Sequence, residues 1–295
     1  MDISGDFPAW PDYTVLFMNI LEFSSFVFLG SLLAGFLGAS TGLGGGVVIV
    51  PLLALGFGVD IRYAMGASLV SVIATSSAAA SAYVKEGYSN LRVGMFLEIA
   101  TTIGAVAGAA VATRIHPSAI AVVFGLMLLY SAYQSGFAHR RDSAPAGPDK
   151  LATRLRMNSG YPTPEGIEKY YVRAVPGGFG VMFIAGALSG LLGIGSGAMK
   201  VIAMDQVMRL PFKVSTTTSN FMIGVTAAAS AGVFLNRGYI DPGLAMPVML
   251  GVLFGSLAGA RFLLKVSTRI LRIVFAVVIV ALAIEMLYKG LTGGF

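Results

Sequence analysis

Lys200 is an isolated charge in an otherwise apolar run, GIGSGAMKVIAM, just after Gly193, Gly195 and Gly197. An ammonium in hydrocarbon costs about 2.5 kcal/mol or more unless it is paired or hydrated, so such a lysine is functional by default. Two kinds of role fit it: counter-charge to an anionic ligand, or a structural charge that pairs with Asp205 or snorkels towards the cytoplasmic face. The glycines are the poorest helix formers available, and a helix that restarts after them presents unpaired N–H groups and its positive end, a setting for an anion. The same arrangement occurs earlier, where Gly42, Gly44, Gly45 and Gly46 precede Val47 as the later glycines precede Ala198. Hydroxyl and amide side chains cluster nearby: Thr41, Ser68 and Ser71 in the first half, Ser196, Thr217, Thr218, Ser219 and Asn220 in the second. Such groups donate hydrogen bonds without fixed charge, which suits a small oxyanion that must also leave again. Small residues also let apolar helices pack closely, so packing is the competing reading for each hydroxyl. Asp205 and Glu98 lie in apolar runs and are candidates for a proton relay; the alternative places them at span ends, facing water.

The elements that must position these residues are membrane helices. With 56% hydrophobic and 12% charged residues and a mean hydropathy of +0.81, the chain is far more apolar than soluble domains. Apolar stretches of about 20 residues suit helices, not the alternating strands of an outer-membrane barrel. An apolar segment broken at its centre is tolerated in a membrane only where the freed backbone faces protein or a water-filled cavity. The net charge of +6 is accounted for by basic residues in membrane-flanking loops, and no nucleic-acid partner is expected. The acidic start, MDISGDFPAWPD, predicts no cleavable signal peptide.

The two halves repeat. At an offset of 151, residues 35–110 align with 186–261 without a gap, and 17 of 76 positions are identical. Composition does not explain the matched punctuation, which includes Ser68 with Ser219, Thr75 with Thr226, and Gly104 and Gly108 with Gly255 and Gly259. Lys200 falls on Ile49, so the duplicated site is asymmetric in charge. If each broken segment returns to the side it came from, fifteen lysines and arginines share one side and four the other, which the positive-inside rule favours. The expected fold is an all-α integral membrane protein of two inverted repeats, each a Gly-broken helical hairpin plus three transmembrane helices. The first repeat spans 13–137, a polar cytoplasmic linker 138–176, and the second repeat 177–291. The linker is read as water-exposed with short interfacial helices. The Gly-xxx-Gly faces pack helices within one subunit or across a homodimer.

No enzyme site emerges. GLGGGV lacks the third glycine of the dinucleotide fingerprint, GIGSGAMK has the wrong spacing for a phosphate-binding loop, and His116 and His139 lack metal-ligand spacing. No cofactor and no metal site is expected. The absence of cysteine removes any thiolate or disulfide chemistry.

The run GLGGGVVIVPLLALGFG with GASLVS, repeated as GLLGIGSGAMKVIAMDQ with TTTSN, resembles the TauE/SafE family of sulfite and organosulfonate exporters, over both halves. The resemblance implies a bacterial or archaeal inner-membrane permease for sulfite, sulfoacetate or related anions, with its glycine motifs at Gly42, Gly44, Gly45 and Gly46 and at Gly193, Gly195 and Gly197. Ser196 in place of a glycine and Lys200 in place of an aliphatic residue depart from the family pattern and suit a more highly charged anion. The expected function is alternating-access transport of a small anion bound at the membrane midplane between the glycine tips. Import, another small anion such as a carboxylate or sulfate, and an ion channel stay open as alternatives.

Overall fold

The computed structural model describes residues 19–41, 45–85, 88–137, 149–163, 166–195, 197–263 and 268–294; Gly42, Gly44, Ser196, His139 and the acidic start lie outside them. The first half contains α1 (Ile20–Thr41), α2 (Gly46–Pro51) running into a π-helical turn (Leu52–Gly56), α3 (Ile61–Lys85), α4 (Leu91–Ala112) and α5 (Pro117–Phe137). The second contains α7 (Val175–Leu192), α8 (Gly197–Ile202) with its own π turn (Ala203–Val207), α9 (Phe212–Asn236), α10 (Pro242–Leu263) and α11 (Thr268–Thr292). Four described helices are long and apolar enough to cross a membrane: Leu91–Ala112, Val175–Leu192, Phe212–Asn236 and Pro242–Gly259.

Local sequence sets these boundaries twice over. Asn90 caps α4, its side chain accepting from the Val93 N–H at 3.1 Å; its repeat mate Asp241 accepts from the Gly243 N–H at 2.9 Å at the start of α10. Gly193 ends α7 with φ 67°, a left-handed cap that glycine adopts without strain. The lipid-facing stripe is also duplicated. Met95, Ile99, Ile103 and Val106 are exposed on α4 at helical spacing, and Met246, Leu250, Phe254 and Leu257 repeat them on α10.

Each broken segment folds back on the helix before it. A Cβ on Gly30 would lie 3.0 Å from the Leu52 side chain, and one on Gly45 would lie 3.6 Å from Cα of Gly35, so α2 and its π turn run antiparallel to α1. In the second half Gly178 packs on Met208 in the same way. The halves then exchange partners. On α4, a Cβ at Gly104 would sit 2.2 Å from the Phe183 carbonyl and one at Gly108 1.9 Å from that of Ala187, so α4 runs parallel to α7 with backbones in contact. On α10, a Cβ at Gly255 would lie 2.0 Å from the Leu32 carbonyl and one at Gly259 2.7 Å from that of Phe36, which sets α10 parallel to α1. These Gly-xxx-Gly faces are therefore filled within the chain, and the homodimer expectation loses the faces that suggested it. Ring contacts are exchanged too: Arg62 lies 5.6 Å from the Tyr239 ring centre, and its repeat mate Lys213 lies 3.8 Å from that of Tyr88.

The connection between the halves departs from an all-α fold. After the short helix α6 (Lys150–Arg154), β1 (Ser159–Thr163) and β2 (Gly166–Tyr170) pair as an antiparallel hairpin, where only short helices were expected. Prolines, glycines and a tyrosine-rich pattern in this stretch disfavour helix. The hairpin docks on the α3–α4 corner: Asn90 Nδ2 donates to the Met157 carbonyl and to the Tyr170 hydroxyl, both at 2.8 Å.

The close backbone contacts define a test. Gly108→Ala should lower stability by about 1–3 kcal/mol, because its methyl must push α4 off α7. Gly180→Ala on the open side of α7, where nothing lies within 4 Å, should be neutral or stabilising. Thermal unfolding of the detergent-solubilised protein distinguishes them, and equal behaviour would refute the close-contact account.

Candidate functional site

The site begins with the second broken segment. After the cap at Gly193 the chain turns through Gly195, at φ 74°, and restarts as α8 at Gly197, one residue before the expected Ala198; α2 likewise starts at Gly46, one before Val47. Restarting there places Lys200 on the first turn of α8, pointing into the protein. It is fully buried, so the expectation of a stem reaching for water does not hold. Its Nζ donates to Oγ1 of Thr226 on α9, and that hydroxyl donates to Oε1 of Glu98 on α4 at 2.6 Å. Thr102 also donates to Oε1, at 3.3 Å. Glu98 is 8% exposed, and its Oε2 has no hydrogen-bond partner among the described residues.

Lys200 therefore faces Glu98 across a hydroxyl, not Asp205. Asp205 is half-buried in the π turn after α8. Glu98, for its part, is an interior residue and not a water-facing one at a span end. The trio spans both halves: Glu98 belongs to the first, Thr226 and Lys200 to the second. Its repeat mates are Met249, Thr75 and Ile49; Thr75 bonds back to the Ser71 carbonyl at 3.0 Å, and the Thr226 hydroxyl likewise lies 3.0 Å from the Met222 carbonyl of its own helix. One of two equivalent places has thus kept an apolar interior, while the other holds a cation and an acid.

The expected hydroxyls divide into two groups. Ser68 donates to the Gly193 carbonyl at 2.8 Å and lies 3.5 Å from that of Gly46, so one side chain of α3 ties both breaks. Its mate Ser219 donates to the Gly197 carbonyl at 3.2 Å. The breaks are neighbours: a Cβ on Gly46 would lie 3.5 Å from Cα of Ile194, and Val72 packs against both Gly46 and Gly195. Ser71 and Thr217 bond instead to carbonyls of their own helices, at 2.7 and 3.0 Å, and Thr218 accepts the Asn90 N–H at 3.0 Å. Gly45 is buried at the start of α2, Asn220 is half-buried on α9, and Thr41 closes α1. The residue missed by sequence reasoning is Thr226. Its only signal there is its match to Thr75, which marks the repeat and not the site.

A polytopic helical bundle whose apolar interior holds two broken segments and a buried, hydroxyl-bridged lysine and glutamate belongs to the class of membrane transporters. The family model for Sulfite exporter TauE/SafE matches residues 27–286, and the chain belongs to that family. It is 29% identical over 279 residues to Probable membrane transporter protein YunE of Bacillus subtilis, covering 92% of this chain and 99% of that one. It is 27% identical to Probable membrane transporter protein YdhB of the same organism, covering 80% and 87%. Probable membrane transporter protein MJ0441 of Methanocaldococcus jannaschii is 24% identical, with 86% and 92% covered. No solved structure matches the chain.

The hydroxyl bridge defines a second test. Thr226→Val keeps the shape of the side chain but removes the donor to Glu98 and the acceptor for Lys200. Leaving buried polar groups without a partner costs about 1–3 kcal/mol, so the thermal midpoint should fall, and Thr226→Ser should restore most of it. Equal midpoints for the valine and serine variants would show that the bridge contributes nothing.

Proposed function

We propose that this chain is an alternating-access secondary transporter that exports small sulfur-containing anions such as sulfite, sulfoacetate or related organosulfonates. In this reading the anion binds near the membrane midplane between the two glycine breaks, with Lys200 as its counter-charge. The observation that carries the proposal is the burial of Lys200 with no carboxylate of the described residues in direct contact. Among the described residues its charge is met through Thr226 by Glu98, an arrangement that an incoming anion can replace. Free, the site holds a cation and a carboxylate; loaded, it holds a cation and the substrate anion, and a proton on Glu98 keeps the buried charge balanced. Glu98 is therefore the proton-relay residue of the proposal, in preference to Asp205. The sulfur-containing substrate class and the outward direction follow from the family description.

Alternating access requires two related halves that can exchange roles, and the directions of the helices support an inverted pair. The broken segments return along α1 and α7, α4 runs with α7, and α10 runs with α1. Helices equivalent by sequence then run in opposite senses. In a bacterial or archaeal inner membrane, the basic residues of the linker would lie in the cytoplasm. Ser68 and Ser219 hold the breaks closed in the present arrangement, and their release from the glycine carbonyls would open the site.

The test is thermal stabilisation of the purified protein by sulfite, sulfate, thiosulfate, sulfoacetate, taurine and acetate. A ligand at about 100-fold above its dissociation constant adds about 2.7 kcal/mol. A sulfonate or sulfite should stabilise the wild type and not Lys200→Ala; if no anion stabilises a folded wild type, the proposal fails. Binding should strengthen as pH falls, because protonating Glu98 frees Lys200 for the anion, and Glu98→Gln should bind with little pH dependence. A Glu98→Gln variant with the wild-type pH profile would remove Glu98 from the relay.

A further inference from the structure

A second place gathers charge, at the end of the bundle where α7 begins. A cleft of about 600 Å³ there is lined by Lys150 of α6, Arg173 on the chain entering α7, Arg209 just after the π turn, and by Gln206, Ala174 and Asp149. Three cations from three separate segments converge against one carboxylate. Asp149 Oδ1 accepts the Leu151 N–H at 3.2 Å as the cap of α6 and keeps its negative charge, so three cations against one carboxylate leave the lining at a net charge of +2. The convergence is built in by the backbone, because the Arg173 N–H donates to the Met208 carbonyl at 3.1 Å and fastens the two segments together.

Arg209 is the telling residue. Its backbone is left-handed, at φ 56°, and the equivalent position in the first half is Gly58, at φ 64°. Glycine adopts this conformation freely and a side-chained residue does not. The first half keeps the glycine; the second holds an arginine there against its backbone preference and aims it at the cleft. Neighbouring Ala174 is also left-handed, at φ 45°, and sets the entry into α7. Further along the same helix Phe183 and Ile184 are exposed apolar residues. The cleft lies against Arg173 and Ala174, just before Val175, where this helix, long and apolar enough to cross a membrane, begins, and the end of such a span is where lipid headgroups lie.

We infer that this cleft binds a phosphate-bearing anion, through Lys150, Arg173 and Arg209. Arginine forks and a lysine point charge match phosphate oxygens, and basic pockets at the membrane surface hold acidic headgroups. The same chemistry serves a phospholipid headgroup or a soluble phosphate.

The experiment uses the full chain, delipidated in neutral detergent, with phosphatidylglycerol, phosphatidylcholine and inorganic pyrophosphate as probes. Binding is followed by native mass spectrometry and by thermal midpoint. The wild type should prefer phosphatidylglycerol or pyrophosphate over phosphatidylcholine, and Lys150→Gln with Arg209→Gly should weaken that binding by about tenfold or more. Arg209→Gly alone should raise the midpoint of the ligand-free protein while weakening binding, a combination that a folding defect does not produce. A response to phosphatidylglycerol alone assigns a lipid, and one to pyrophosphate alone a soluble ligand. No preference in the wild type, or unchanged binding in the variants, overturns the inference. Lys200→Ala should leave this binding intact, so the cleft and the transport site stand or fall separately.

Discussion

The arrangement depends on a charge that cannot reach water. Lys200 is fully buried, and a buried ammonium persists only if its surroundings supply a hydrogen-bond acceptor and a compensating charge. The acceptor comes from Thr226 on α9 and the charge from Glu98 on α4, so satisfying one side chain fixes α8 against helices of both halves. Because a hydroxyl stands between cation and carboxylate, neither is locked in a direct pair. Such an interior satisfies both charges through one shared hydroxyl and a single contact between the two halves.

Glycine close contacts supply the rigid frame around it. The carbonyls of Phe183 and Ala187 occupy the space that side chains on Gly104 and Gly108 would fill, and Leu32 and Phe36 do the same for Gly255 and Gly259. Each half thus grips the first helix of the other. Hydrophobic burial distinguishes poorly between protein and lipid, so such close backbone packing carries the specificity of assembly. The short returning arms are held differently, by the serine bonds from Ser68 and Ser219 to glycine carbonyls. Frame and arms therefore differ in the kind of attachment: backbone contact for the frame, and side-chain hydrogen bonds with apolar burial for the arms, whose Val47, Ile49 and Leu53 lie in the core.

The connection between halves is also part of this assembly. Its hairpin bonds to Asn90, which at the same time caps α4 and donates its N–H to Thr218 on α9. One residue at the α3–α4 corner thereby joins the linker to both halves, close in sequence to the helix that carries Glu98.

Much of this was legible in the chain itself. Apolar length and glycine spacing marked where helices run and break, because those depend on local backbone preferences and on transfer to an apolar phase, while the return of each broken segment was favoured only by the distribution of basic residues. The 151-residue offset determined the duplication, down to the paired Ser68 and Ser219. The isolated charge singled out Lys200. The partner of that charge was not legible, because Asp205 is near in sequence while Glu98 is about 100 residues away, and helical periodicity says nothing about which helices meet. Thr226 was likewise only a mark of the repeat, and the arginine in a left-handed turn at position 209 was one basic residue among many. Those facts belong to tertiary structure, where exchanged packing of the halves brings α4, α8 and α9 together and decides which polar groups must satisfy one another away from water.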